Sequence, residues 1–225
     1  MPLAVVAGSA LGLTGCFDLA QNVALHRDGS GSYSVAVSAD GVVGGALGRK
    51  DSDIDIGDDL KGVTTVKRNG DVTTETKEVA FHDLSDLHLG DETLSLHVAG
   101  SEGDATKVSF RRAFRIDHAR RRRDEDENHL GHQVLQSMFG GHFYTFAVWL
   151  PGRIERIAPV TLGGHSVAPV VWGDASGHTI VWKMPLSDMM MARELDFDVD
   201  FAATGSFHDS QSGPARHRHR HRDDS

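Results

Sequence analysis

The stretch Leu195-Asp196-Phe197-Asp198-Val199-Asp200-Phe201 (LDFDVDF) alternates apolar and acidic side chains without a break. Successive side chains on a strand point to opposite faces, so this period of two predicts a strand with one buried face and one wet, acidic face. The same alternation recurs upstream. Tyr33, Val35 and Val37 alternate with small or polar residues after the turn Asp28-Gly29-Ser30-Gly31. Val63–Lys67 and Val72–Phe81 flank Arg68-Asn69-Gly70-Asp71, and Asn-Gly accepts the positive φ that a tight hairpin needs. Strands are also predicted at Gln21–Arg27, Leu94–Ala99, Lys107–Ile116, Phe143–Leu150, Arg153–Ile157, Val167–Trp172 and His178–Met184.

One segment breaks the pattern. Leu130, Val134, Leu135, Met138 and Phe139 fall on one side at helical spacing, predicting a helix over His129–Phe139. FHDLSDLHLG reads as a short turn or helix, and SDMMMAREL as a short connection. Turn-sized gaps dominate, which favours antiparallel pairing. The expected fold class is therefore α+β: a mainly antiparallel curved sheet with one main helix packed on it. From Gly205 the composition turns polar and ends ARHRHRHRDDS, predicting a disordered C-terminal tail over residues 205–225.

The net charge is −9, which argues against a nucleic-acid partner, because phosphate contacts need a broad basic face. Seven arginines lie between residues 111 and 123, but DEDE at 124–127 follows at once and largely neutralises them. No run of ~18 apolar residues offers a spanning helix.

The single cysteine excludes an internal disulfide, and its position is informative. Leu3–Leu13 is uncharged and rich in small residues, and it leads into Leu13-Thr14-Gly15-Cys16. An apolar stretch of this length ending in small residues has the form of an export signal. Its last four residues resemble the bacterial lipobox, in which the signal is cut before the cysteine and the thiol takes a diacylglycerol. The expected organisation is a lipoprotein signal peptide over residues 1–15, a single ectodomain over 16–204 anchored to the membrane at Cys16, and the tail. The usual basic residues at the start of such a signal are missing, since Met1-Pro2 carries none.

Gly44–Ile56, GGALGRKDSDIDI, resembles the small nucleotidyltransferases, where a glycine pair approaches a triphosphate and alternating carboxylates hold magnesium. Asp53 and Asp55 would be the metal-binding pair. The spacing from Gly45 is short, and GDDLKG after Ile56 does not continue as a buried strand. An exported protein would also lack the nucleotide. A solvated acidic loop is the better reading. Asp51, Asp53 and Asp55 also begin like an EF-hand loop, but Ile56 and Gly62 stand where the turn glycine and the bidentate glutamate belong. His129 and His132 lack a third ligand, and His217, His219 and His221 alternate with arginines that repel a metal. No nucleophile elbow is present. No catalytic residue, cofactor or metal site is expected.

Four pieces resemble the LppM-domain family of bacterial envelope lipoproteins: RDGSGSYSV (27–35), VAFHDLSDL (79–87), FAVWLPG (146–152) and TIVWKMPL (179–186). The resemblance spans most of residues 17–204 and implies a non-enzymatic, lipid-anchored protein facing outside the cytoplasm. It also implies a sheet wrapped around a helix, a shape that can enclose an apolar cavity for an amphiphile. Phe139, Phe143, Phe146, Trp149, Trp172, Trp182 and Met189–Met191 are the side chains that could line it; a filled core is the plainer reading, leaving a structural or protein-binding lipoprotein.

Overall fold

The computed structural model describes residues 17–40, 62–90, 92–115, 139–192 and 194–213. Among them are fourteen strands: β1 (Phe17–Leu25), β2 (Gly31–Ala39), β3 (Val63–Asn69), β4 (Val72–Phe81), β5 (Glu92–Glu102), β6 (Ala105–Arg115), β7 (Phe143–Pro151), β8 (Arg153–Ile157), β9 (Val160–Leu162), β10 (His165–Val167), β11 (Val170–Asp174), β12 (Gly177–Pro185), β13 (Glu194–Ala203) and β14 (Ser210–Gln211). Helix α1 (Leu186–Met191) is a turn and a half, and Leu84–Asp86 forms a 3-10 turn capped by Asp83.

These strands make a seven-stranded sheet in the order β11-β12-β7-β1-β2-β4-β3, a five-stranded sheet in the order β14-β5-β6-β13-β8, and the two-stranded pair β9-β10. Within the large sheet β1 runs parallel to β7, and every other pairing is antiparallel.

The apolar phase of each strand decides which face is covered. On β7, Tyr144, Phe146, Val148 and Leu150 are all buried, while Phe143, Thr145, Ala147 and Trp149 face the other side. On β13 the alternation that predicted a strand holds: Leu195, Phe197, Val199 and Phe201 are buried. The two inner faces meet ring to ring. Phe197 lies 4.7 Å from Phe146 and 5.1 Å from Trp182, centroid to centroid, and Phe146 stacks on Trp182 at 5.7 Å. Sheet packed on sheet is the architecture.

The expected α+β class is therefore corrected. The layer facing the large sheet is a second sheet, and α1 is too short to be a main helix. The helix expected at His129–Phe139 lies outside the described residues except for Phe139, which packs against the core. The expected connection SDMMM instead forms α1, burying Leu186 and Met189. The start of the expected disordered tail is also different. Ser210–Gln211 adds β14 to the edge of β5, and Ser210 and His208 both bond Asp83. Burial alone would raise the Asp83 carboxyl, but hydrogen bonds from Ser210, Ser85 and His208 outweigh it and hold the group well below the usual carboxylate range. Residues 214–225 lie outside the described residues.

Two glycines have different jobs. Gly70 takes φ of +62° at the hairpin tip, with nothing near it. Gly31 is buried where β2 begins, and a Cβ there would lie 2.0 Å from the Ala24 carbonyl oxygen and 2.7 Å from the Phe81 ring. Gly70→Ala is expected to cost ~1 kcal/mol of unfolding free energy, the penalty of a left-handed conformation. Gly31→Ala is expected to cost more than ~3 kcal/mol, because backbone must move. Urea unfolding of both variants measures the difference; equal costs would contradict the close approach at Gly31.

Candidate functional site

The chemistry-bearing residues inside the molecule gather around Arg112. This arginine occupies the inward phase of β6, in line with buried Val108 and Phe110, and its side chain is 0 % exposed. A buried guanidinium is tolerated only if it is paired and hydrogen-bonded. Here Nη2 lies 3.0 Å from Glu92 Oε2, and Nε donates to the same oxygen at 3.3 Å. Nη2 also donates to Gln21 Oε1. Gln21 Nε2 in turn donates to Glu92 Oε1 at 2.7 Å, Tyr33 donates its hydroxyl to Glu92 Oε2 at 3.4 Å, and Tyr144 donates to Gln21 Oε1. Five strands, β1, β2, β5, β6 and β7, thus contribute one polar side chain each.

The guanidinium also rests on aromatic faces. Its carbon lies 4.5 Å from the Phe146 centroid and 5.2 Å from that of Phe197. Nη1 has no hydrogen-bond partner among the described residues, and these ring faces supply the negative potential it sees. Burial pushes Arg112 toward losing its proton, but Glu92 more than compensates, so the net shift is upward. Burial pushes Tyr33 and Tyr144 up, with the Glu92 charge adding to it; Arg112 opposes, and both phenols stay protonated. Every oxygen in the cluster is engaged, and all five side chains are buried. Of the cluster's polar atoms, only Arg112 Nη1 lacks a hydrogen-bond partner among the described residues. The cluster ties the sheets together.

The outer face of β13, expected to be acidic and wet, is matched by cations. Arg111 on β6 meets Asp196 at 2.9 Å, and Arg156 on β8 meets Asp198 at 3.2 Å and Asp200 at 2.6 Å. A shallow depression beside this ladder is lined by Thr93, Ser95, Arg111, Ala113, Arg115 and Gln211. Its two arginines are already paired, with Asp196 and Glu194.

Exposed apolar surface lies on both edge strands of the large sheet, Val63 and Val66 on β3 and a run of three residues on β11. Val170, Val171 and Trp172 are 63, 42 and 48 % exposed. Trp172 aligns with Thr179, and Thr179 with Trp149, so both tryptophans share the outer face of the sheet.

The side chains expected as candidate cavity lining are therefore divided rather than brought together. Phe146 and Trp182 are inter-sheet core, Phe143 and Trp149 face outward half-buried, Trp172 is exposed, and Met189 is buried on the inner side of α1. Cys16, Asp53, Asp55, His129, His132 and the tail histidines lie outside the described residues. Among the described residues no three His, Cys, Asp or Glu side chains group as a metal site, and no helix is long and apolar enough to cross a membrane.

The buried Arg112–Glu92 ion pair gives a stability prediction. Arg112→Met leaves Glu92 buried without its cation and is expected to cost ~3–5 kcal/mol in urea unfolding. Adding Glu92→Gln is expected to restore a large part of that loss, because no uncompensated charge remains. A double variant no more stable than the single one would contradict the pairing.

No protein-family model matches the chain, and no curated protein matches it in sequence. Among solved structures, the chain is similar to the folded domain of LppM from Mycobacterium tuberculosis, determined by NMR. The two share 13% identity over 87% of this chain and 95% of that one, with a TM-score of 0.40.

Proposed function

We propose that this chain is a lipid-anchored, non-enzymatic protein of the bacterial cell envelope, facing outside the cytoplasm, whose β-domain works by binding another protein. The observation that carries the reading is the interior. Where the two sheets meet, Arg112, Phe146, Trp182 and Phe197 fill the space, and every oxygen of the buried polar cluster is engaged, so that cluster offers no catalytic group. Function then falls to the surface. Apolar surface on an exposed edge strand marks protein-interaction sites, and β11 with Val170, Val171 and Trp172 is such an edge. An amphiphile would require space between the sheets that side chains occupy, so the protein-binding reading is favoured over it.

The anchor is supported by the sequence Leu13-Thr14-Gly15-Cys16. β1 starts at Phe17, the residue after Cys16, so cleavage before Cys16 removes no described strand. A diacylglycerol thioether carries two acyl chains, enough for stable membrane association where one chain binds marginally.

Intact-mass measurement on protein purified from the native membrane fraction, beside a Cys16→Ser variant, tests the anchor. The expected mass is that of residues 16–225 plus a diacylglycerol, lost in the variant together with membrane association. An unmodified chain retaining residues 1–15 in the soluble fraction would contradict it.

A further inference from the structure

The lipid anchor, if it is at Cys16, has no tether. Phe17 is bonded to Cys16 and is already the first residue of β1. Phe17 is also fastened: its backbone N–H donates to His142 Nδ1 at 3.1 Å, and its ring lies 6.2 Å from that of Phe139. The next residue, Asp18, is buried and accepts from the Phe143 backbone N–H at 2.6 Å. Consecutive Cα atoms are about 3.8 Å apart, so acyl chains on Cys16 bring this end of the sandwich to the bilayer.

The residues at that end suit the place. Sheet register puts them together: Phe17 aligns with Ala39, Ala39 with Thr73, and Thr73 with Arg68. Lys67 follows in the next row, through Thr74, Ser38 and Asp18. On the other side Leu19 aligns with Tyr144, and Phe143 with Pro185. Phe17, Phe139 and Phe143 are half-buried, leaving ring surface uncovered. Lys67, Arg68 and Lys183 are exposed, and Lys183 Nζ sits 3.9 Å from the Phe143 centroid. Among the described residues the acidic ones here are exposed Asp71 at the hairpin tip, half-buried Asp40, Glu75 and Asp188 (the last on α1), and the bonded Asp18. Among the described residues at this end the fully exposed cations, Lys67, Arg68 and Lys183, outnumber the fully exposed carboxylate, Asp71.

Resting on the lipid-anchor reading, we propose that this end of the sandwich docks in the headgroup layer of the bilayer that holds the anchor. Phe17, Phe139 and Phe143 meet the acyl boundary, and Lys67, Arg68 and Lys183 meet anionic lipid phosphates. Aromatic rings and basic side chains are the pair of features that hold a surface in that layer. The strands then stand away from the membrane. The turn Asp174–Gly177 and the Trp172 end of β11 face outward, where a protein partner can reach them.

The test uses the full lipidated chain in phosphatidylcholine–phosphatidylglycerol vesicles doped with a headgroup-level spin-labelled lipid. Cys16 is the only cysteine, and as a thioether it does not react, so one introduced cysteine takes one fluorophore. Lys183→Cys reports the near end and Ala175→Cys the far turn. Docking predicts severalfold greater quenching at 183 than at 175, diminished when Lys67 and Arg68 are both changed to Glu. Equal quenching at both positions on a chain whose mass confirms lipidation would overturn the docked orientation alone. A free, labelled Cys16 would overturn the anchor reading and the orientation with it.

Discussion

The ion pair of Arg112 with Glu92 sets the terms for the rest of the fold. Both residues sit on the five-stranded sheet but point into the layer between the sheets, where charge is costly. The cost is met from the opposite sheet. Gln21, Tyr33 and Tyr144 supply hydrogen bonds, and Phe146 supplies a ring face. The requirement to satisfy these groups fixes how the two sheets lie on each other. An apolar interface could slide, because burial is non-directional. Hydrogen bonds are directional, and here Gln21, Tyr33 and Tyr144 of one sheet meet Arg112 and Glu92 of the other.

That constraint shapes what the protein can do. A polar cluster in a β-sandwich invites a catalytic interpretation, but this one is closed and engaged on every oxygen. Between the sheets Trp182, Phe146 and Phe197 pack ring on ring. Among the described residues the surface offers the paired-charge face of β13, the apolar edges at β11 and β3, and the aromatic and basic rim around Phe17. The proposed anchored, protein-binding domain would use the last two.

Much of the strand pattern was readable from periodicity. The Asn-Gly hairpin between β3 and β4 and the alternation of β13 follow from local chemistry, and both lie where the sequence placed them. The polar cluster was readable too, though it was missed. Arg112 falls in the phase of Val108, Phe110 and Phe114, Glu92 in that of Leu94 and Leu96, and Gln21 in that of Val23 and Leu25. A polar residue in an apolar phase is a signal for a buried partner, but the sequence does not say which strand provides it. The second sheet was illegible for a similar reason. Alternation shows that a strand has a covered face and does not show what covers it, and the helical spacing over 129–139 suggested the wrong cover. The Met-rich segment became α1 because Leu186 and Met189 bury against the ends of β7 and β12, a tertiary effect on a segment too short to show a period.

Native-state amide hydrogen exchange tests the central claim, that the Arg112 cluster locks the two sheets into one cooperative unit. The account predicts that the slowest amides of β1 and β7 in one sheet, and of β6 and β13 in the other, exchange only through global unfolding and share one opening free energy. Two separate energies, with β6 and β13 opening while β1 and β7 stay protected, would contradict it.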